Sequence, residues 1–257
     1  MKIFIIGDIV GNVGVNKVRQ VLPEYIKKEN IDFVIANGEN SADGMGITTQ
    51  IFNSLLKAGV NVVTMGNHTW GKKDIFNIIE NKQLLRPANY CREVPGNGYG
   101  IYKCNDKTIG VISLIGRVDM NVFSENPFIM AKEIIKQIKT KVDIILIDFH
   151  AEATAEKIAM GYYLDGEVTA IFGTHTHVQT ADEKILEKGT AYITDIGMTG
   201  PVKSVIGMGV EESIKRFVTT FPERYKTSLD KNASLSGCML TINDETCRAT
   251  KIERINL

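Results

Sequence analysis

Short runs of consecutive apolar residues recur along this chain, and they end in glycine followed by a carboxylate, an asparagine or a histidine. Ile3-Phe4-Ile5-Ile6 leads to Gly7-Asp8, Phe33-Val34-Ile35-Ala36 to Asn37-Gly38-Glu39, and the run from Asn61 to Gly66 to Asn67-His68. Runs without polar alternation belong to strands covered on both faces, which are parallel strands joined by helices. The intervening segments, Val15 to Lys28, Thr48 to Lys57 and Lys72 to Glu80, have helical periodicity. Loops that follow parallel strands leave the sheet at one edge, so the residues ending these runs are brought together there.

Farther along, Tyr99 to Cys104 and Thr108 to Ile115 flank the turn signal Asn105-Asp106 and predict a hairpin. Phe128 to Ile138 reads as a helix, Val142 to Asp148 as a strand ending at His150, and Glu152 to Met160 as a helix. Val168 to Phe172 is a strand leading to His175. Two more hairpins are expected, Lys184 to Leu186 with Ala191 to Thr194 and Cys238 to Ile242 with Arg248 to Ile255, and a short helix from Glu211 to Phe217. The expectation is one domain over residues 1–257, with two mixed sheets between helical layers.

The chain has 30 basic and 30 acidic side chains, so its formal net charge is zero. Long nucleic acid is therefore not an expected partner. No stretch reaches the roughly 20 apolar residues that span a bilayer, and Met1-Lys2 leads into a strand without a signal-peptide core. A cytoplasmic location without membrane attachment is expected, with Cys91, Cys104, Cys238 and Cys247 as reduced thiols. Nothing opposes assembly into a homo-oligomer.

The four histidines, His68, His150, His175 and His177, all stand just past apolar runs. Residues two apart on an extended strand face the same way, so His175 and His177 of Gly173-Thr174-His175-Thr176-His177 can point into one cleft. A polar strand exit is the bland alternative. Glycines follow Asp8, as in a phosphate-cradling turn, but Gly7, Gly11 and Gly14 lack the GxGxxG spacing. A carboxylate ligand is the better reading. Asp8, Glu39, Asn40, Asn67, His150, His175 and His177 are too many donors for one four-coordinate ion. They suit two ions about 3.5–4 Å apart that share one carboxylate. The oxygen and nitrogen donor set favours iron or manganese, with zinc as a third candidate. His68 can stand beside the metals as a proton donor.

In order and spacing, Gly7-Asp8, Gly38-Glu39-Asn40, Gly66-Asn67-His68, His150 and Gly173-Thr174-His175-Thr176-His177 resemble the motifs of the calcineurin-like metallophosphoesterase superfamily. Val10 stands where that superfamily has a first-motif histidine, and Glu39 replaces its bridging aspartate. Both features, with the stretches Gly7 to Gly11 and Thr194 to Pro201, resemble the YmdB-like branch of bacterial phosphodiesterases. Val15 departs from that branch, where arginine is expected after Gly14.

The resemblance implies an α/β fold, a four-layer α/β/β/α sandwich with two mixed sheets (a calcineurin-like phosphoesterase fold). It implies two divalent or trivalent ions. Asp8, Glu39, Asn40 and His177 would hold one, and Glu39, Asn67, His150 and His175 the other, with Glu39 as the bridge. It also implies hydrolysis of small phosphodiesters, cyclic nucleotides such as 2′,3′-cyclic AMP among them. Attack would be by a hydroxide shared between the ions, and His68 would supply the proton. The alternatives are a metal-dependent phosphomonoesterase or nucleotidase, a non-catalytic cyclic-nucleotide-binding regulator, and a nuclease. Lys203 and Ser204, in the glycine-rich stretch from Gly197 to Gly209, are candidate substrate contacts, with a solvated loop as the alternative. Trp70 is a candidate base-stacking residue, with core packing as the alternative.

Overall fold

A computed structural model describes residues 1–222 and 226–257. The chain opens with β1 (Lys2–Ile6), β2 (Asp8–Ile9), α1 (Gly11–Glu29), β3 (Phe33–Asn37), α2 (Thr49–Ala58), β4 (Val62–Thr64) and β5 (Leu84–Leu85). It continues with β6 (Tyr99–Cys104), β7 (Lys107–Ile115), α3 (Pro127–Ile138), β8 (Ile144–His150), α4 (Thr154–Tyr163) and β9 (Ala170–Thr174). The last part holds β10 (Lys184–Ile185), β11 (Ala191–Ile193), β12 (Met198–Pro201), α5 (Val210–Thr219), β13 (Ala233–Ser234), β14 (Ser236–Ile242) and β15 (Ala249–Asn256).

One sheet has the order β15-β14-β1-β3-β4-β5, and a second has the order β10-β11-β9-β8-β7-β6. In the first, β1, β3, β4 and β5 are parallel, and β14 and β15 add an antiparallel hairpin. In the second, β7, β8, β9 and β11 are parallel, with β6 and β10 antiparallel at the two edges. Both sheets are mixed, as the hairpin signals imply.

Alternation along the strands distributes the core. Phe4 and Ile6 of β1 pack with Val18 and Leu22 of α1 and Phe52 and Leu55 of α2. Their neighbours Ile3 and Ile5 face the other way and pack with Val111, Leu146 and Phe172 of the second sheet. The opposite face of that sheet, through Ile112, Leu114, Ile145 and Ile147, meets Ile134 and Ile135 of α3 and Met160 of α4. Each central strand is thus apolar on both faces, which is why its sequence shows no alternation.

Some expectations need correction. A third, three-stranded sheet β13-β12-β2 exists beside the two large ones. The chain steps out of β1 at Gly7, where a Cβ would lie 2.1 Å from the Gly197 carbonyl oxygen. Asp8 and Ile9 then pair with Met198 and Thr199. Strands this short carry no readable period. Between Lys72 and Glu80 only a 3₁₀ turn, Lys73–Asn77, forms, and there the Asp74 carboxylate accepts from the Thr49 N–H at the start of α2. Helix α1 begins at Gly11, before Val15, so Gly11 and Gly14 belong to its first turn and not to a loop. Gly14 is needed there because a Cβ would lie 2.3 Å from the Thr199 carbonyl oxygen.

The four cysteines are free thiols. Among the described residues, no helix is long and apolar enough to cross a membrane.

Candidate metal centre

The ends of β1, β3, β4, β8 and β9 converge, and the side chains that the sequence singles out meet there. Asp8 and Glu39 are completely buried, and Asn40 and His150 nearly or fully so. His150 Nε2 lies 3.1 Å from Glu39 Oε1, 2.9 Å from Asn67 Oδ1 and 3.0 Å from His175 Nδ1. Glu39, His150 and His175 can offer three ligand atoms within 4.8 Å of one another. On the other side, His177 Nε2 is 2.9 Å from Asn40 Nδ2 and 3.9 Å from Asp8 Oδ1. Asp8 spans the two groups, with Oδ1 3.8 Å from His150 Nδ1 and Oδ2 accepting from the His175 N–H at 3.1 Å.

His68 stands beside these groups. Its N–H donates to Glu39 Oε2 at 2.8 Å, and its Nδ1 is 2.7 Å from Asn40 Oδ1 and 3.2 Å from Glu39 Oε1. Its side chain is one-third exposed and lines a cleft of about 490 Å³ together with Glu39, Asn40, Glu152, His175 and His177.

Two observations bear on whether cations fit. Asp8 Oδ1 and Glu39 Oε1 are buried and have no hydrogen-bond partner, although imidazole nitrogens lie near both. Orphaned buried carboxylate oxygens are costly without a cation or donor to satisfy them. Gly66 also leaves no spare room. A Cβ there would lie 2.3 and 2.4 Å from His150 Cδ2 and Nε2 and 2.5 Å from Glu39 Oε2. The donors are carboxylate, amide and imidazole, a set suited to iron, manganese or zinc.

The electrostatics are those of a site with excess negative charge. Burial pushes the Asp8 carboxyl above its ordinary range, against the pull of His177 and His150. Burial acts on Glu39 in the same direction, but His150 and His68 outweigh it and hold Glu39 well below the carboxylate range. Burial disfavours the His150 imidazolium, yet Glu39, Asp8 and Asp148 raise its pKa to about 9. The Glu39 and His150 shifts are one interaction seen from two sides. Partial burial, with His150 beside it, pushes His175 down to about 3.

The geometry of His175 and His177 differs from expectation. Strand β9 ends at Thr174, and both histidines have left-handed backbones, with φ 104° and 65°. They converge because of a turn and not because of strand alternation. That turn is held by Asp195, whose Oδ2 accepts from the Thr176 N–H at 3.1 Å, Thr176 Oγ1 at 2.8 Å and the buried Lys157 Nζ at 2.7 Å. Strained backbone at a cluster of polar side chains is a mark of function that the surrounding structure must enforce.

Sequence reasoning missed several supporting residues. Asp148, fully buried and raised to about pH 6 chiefly by burial, accepts from Thr174 Oγ1 at 2.7 Å and from Thr64 Oγ1. Thr174 Oγ1 faces His150 Nδ1 at 2.9 Å. With the Thr174 hydroxyl donating to Asp148, His150 Nδ1–H donates to Thr174, which leaves the Nε2 lone pair free for a ligand role. One signal was available, since Asp148 and His150 lie two apart in an otherwise apolar strand and so share a face. Glu152, half-exposed, places Oε2 3.1 Å from His175 Nε2. Two suggested substrate contacts are committed elsewhere. Ser204 Oγ accepts from the Gly207 N–H and donates to the Pro201 carbonyl, and Trp70 stacks on Phe76 with ring centroids 5.8 Å apart. Neither Lys203, Ser204 nor Trp70 lines the cleft.

Comparison with known proteins agrees along the whole chain. A family profile described as "YmdB-like protein" matches residues 4–255. The 2′,3′-cyclic-nucleotide 2′-phosphodiesterase of Bacillus subtilis is 48% identical over 256 residues, covering 99% of this chain and 96% of the relative. Two crystal structures superpose with a TM-score of 0.94. A hypothetical protein from Thermus thermophilus is 36% identical and covers 100% of this chain and 99% of its own. A phosphatase from Mycoplasma pneumoniae is 39% identical and covers 100% and 93%. On its motifs, its fold and a match spanning nearly every residue, this chain belongs to the YmdB-like protein family.

Proposed function

We propose that this protein is a metal-dependent phosphodiesterase acting on small diesters, cyclic nucleotides such as 2′,3′-cyclic AMP among them. The observation that carries the reading is the pair of buried, partnerless oxygens, Asp8 Oδ1 and Glu39 Oε1, set among imidazoles and amides at converging strand ends. The activity named for the Bacillus subtilis relative supports it. Asp8, Asn40 and His177 would hold one cation, and Asn67, His150 and His175 a second, with Glu39 between them. Iron or manganese suits the donors best, with zinc third.

When bound, such a pair of cations supplies water made acidic enough to attack near neutral pH, and positive charge for the phosphoryl oxygens. The chain's own residues do the rest. Asp148 and Thr174 fix the His150 ring, the Ile206 carbonyl accepts from His177 Nδ1 at 2.8 Å, and Asp195 holds the turn between His175 and His177. Asn40 Oδ1 engages His68 Nδ1, which leaves Nε2 as the atom that delivers a proton to the departing oxygen. General-acid help of this kind is worth about 10²–10⁴ in rate.

In the same reading the three apolar clusters are the seams of a four-layer α/β/β/α sandwich, the chain is one domain over residues 1–257, and the protein works in the cytoplasm. A phosphomonoesterase is the second reading, favoured by the description of the Mycoplasma pneumoniae relative as a phosphatase. Side-by-side hydrolysis of 2′,3′-cyclic AMP and of a 3′-monophosphate, on protein of measured metal content, separates the two. Faster release of phosphate from the monoester than opening of the cyclic diester would refute the diesterase reading.

A further inference from the structure

The cleft has two chemically different halves. Its floor is polar, with Glu39, Asn40, His68, His175 and His177, while Met45, Ile206, Met208 and Phe217 line its outer part. Met45, Ile206 and Phe217 are 50%, 52% and 75% exposed, so they add little to the core. Apolar surface gathered at the mouth of a polar site calls for an explanation other than folding.

Ile206 is the most telling of these residues. Its φ is 46° and that of Gly207 is 96°. Val205 and Met208 exchange two backbone hydrogen bonds of 2.9 Å around them. Two positive φ values in a two-residue hairpin loop have the form of a type I′ turn, for which Asn-Gly is the favoured sequence. A β-branched residue in the left-handed region is strained. The Ile206 carbonyl accepts from His177 Nδ1 at 2.8 Å, but asparagine would present the same carbonyl without the strain. The carbonyl therefore accounts for the turn and leaves the isoleucine unexplained. What isoleucine adds is branched apolar surface above the histidines.

We propose that Ile206, with Met45, Met208 and Phe217, forms an apolar seat for the planar base of a nucleotide whose phosphodiester lies on the polar floor. The inference rests on the phosphodiesterase reading above. Bases have flat faces that pack on aromatic and aliphatic side chains whatever their hydrogen-bonding edge. Two methionines in the wall can adapt to different bases. The cleft, at about 490 Å³, lies within the roughly 300–1,000 Å³ usual for small-molecule sites.

The test compares wild-type protein with Ile206→Asn and Phe217→Ser, each loaded with manganese. The substrates are 2′,3′-cyclic AMP and ethylene phosphate, a cyclic diester with no base. For both variants the ratio of kcat/KM for the nucleotide to that for ethylene phosphate should fall about tenfold. Ile206→Asn should at the same time raise Tm by about 2–4 °C, because it relieves the turn. An unchanged ratio in both variants would overturn the seat, and an unchanged or lower Tm in Ile206→Asn would overturn the strain argument. If Phe217→Ser left the ratio alone but reduced the particle mass in solution, the wall would be a contact between two copies, which also overturns the proposal. Wild-type protein that hydrolysed neither compound would instead refute the phosphodiesterase reading.

Discussion

Replacing Gly66 by alanine places one methyl group at the most crowded point of the centre. The new Cβ would lie 2.3–2.5 Å from His150 Cδ2, His150 Nε2 and Glu39 Oε2, about 1 Å short of ordinary van der Waals contact. None of the neighbours can readily yield. The Gly66 carbonyl is held by Thr69 Oγ1 at 2.6 Å and Tyr90 OH at 3.1 Å. The fully buried His150 ring is braced by Thr174 Oγ1 at 2.9 Å, and Glu39 Oε2 by the His68 N–H at 2.8 Å. Overpacking of this kind costs about 1–3 kcal/mol, a fall in Tm of roughly 3–10 °C for a chain of this size. A shift of about 1 Å in a positioned group can also cost around 10² in rate. Calorimetry on chelator-treated protein reads the first effect. Elemental analysis after dialysis against manganese, with a diesterase assay, reads the second. A Gly66→Ala protein with unchanged Tm, metal content and turnover would refute the close approach on which the site's geometry depends.

His68→Ala should keep its metal content yet lose about 10²–10⁴ in rate on diesters with poor leaving groups, and much less on nitrophenyl diesters; equal losses on both would remove His68 as the acid. Asp195→Ala leaves the Lys157 ammonium buried without its carboxylate and frees the Thr176 turn. It should cost about 3–5 kcal/mol by chemical denaturation, and a loss under about 1 kcal/mol would contradict the clamp. The His150 pKa, raised from 6.5 to about 9 in the folded metal-free protein, means that the protonated ring favours the fold. That contribution is complete below pH 6.5 and lost as pH rises through about 9, so the stability of chelator-treated protein should fall across this window by an amount of order 3 kcal/mol, and its Tm with it. Saturating manganese displaces the proton and should abolish the fall; a Tm that rose with pH in the metal-free protein would show the sign to be wrong.

The strand exits were legible because two simple signals coincide there. Largely apolar runs mark β1, β3, β4 and β8 as buried strands, with Asp148 the one charge inside β8, and the residues that follow or end them are chemically out of place in a core. Glu39, Asn67, His68 and His150 come together on that signal, and Asp8 with the help of the small sheet. Strand alternation does not account for His175 and His177 facing one cleft, since both have left-handed backbone in a turn held by Asp195 and Lys157. No local pattern announces a carboxylate on one segment that grips an amide 19 residues earlier. The small sheet that seats Asp8 was hidden because β2 has only two residues. The 3₁₀ turn from Lys73 to Asn77 illustrates the reverse case, in which helical periodicity was present but tertiary contacts through Asp74 and Trp70 set a different geometry. The strain at Ile206 could not be read at all, because isoleucine gives no turn signal.

The central claim is that Glu39 lies between two cations held by opposite groups of side chains. Anomalous diffraction from crystals grown with manganese tests it most directly. The account predicts two manganese peaks, one against Asp8, Asn40 and His177 and one against Asn67, His150 and His175, with the Glu39 carboxylate touching both. A single peak, or two peaks with Glu39 in contact with neither, would contradict it.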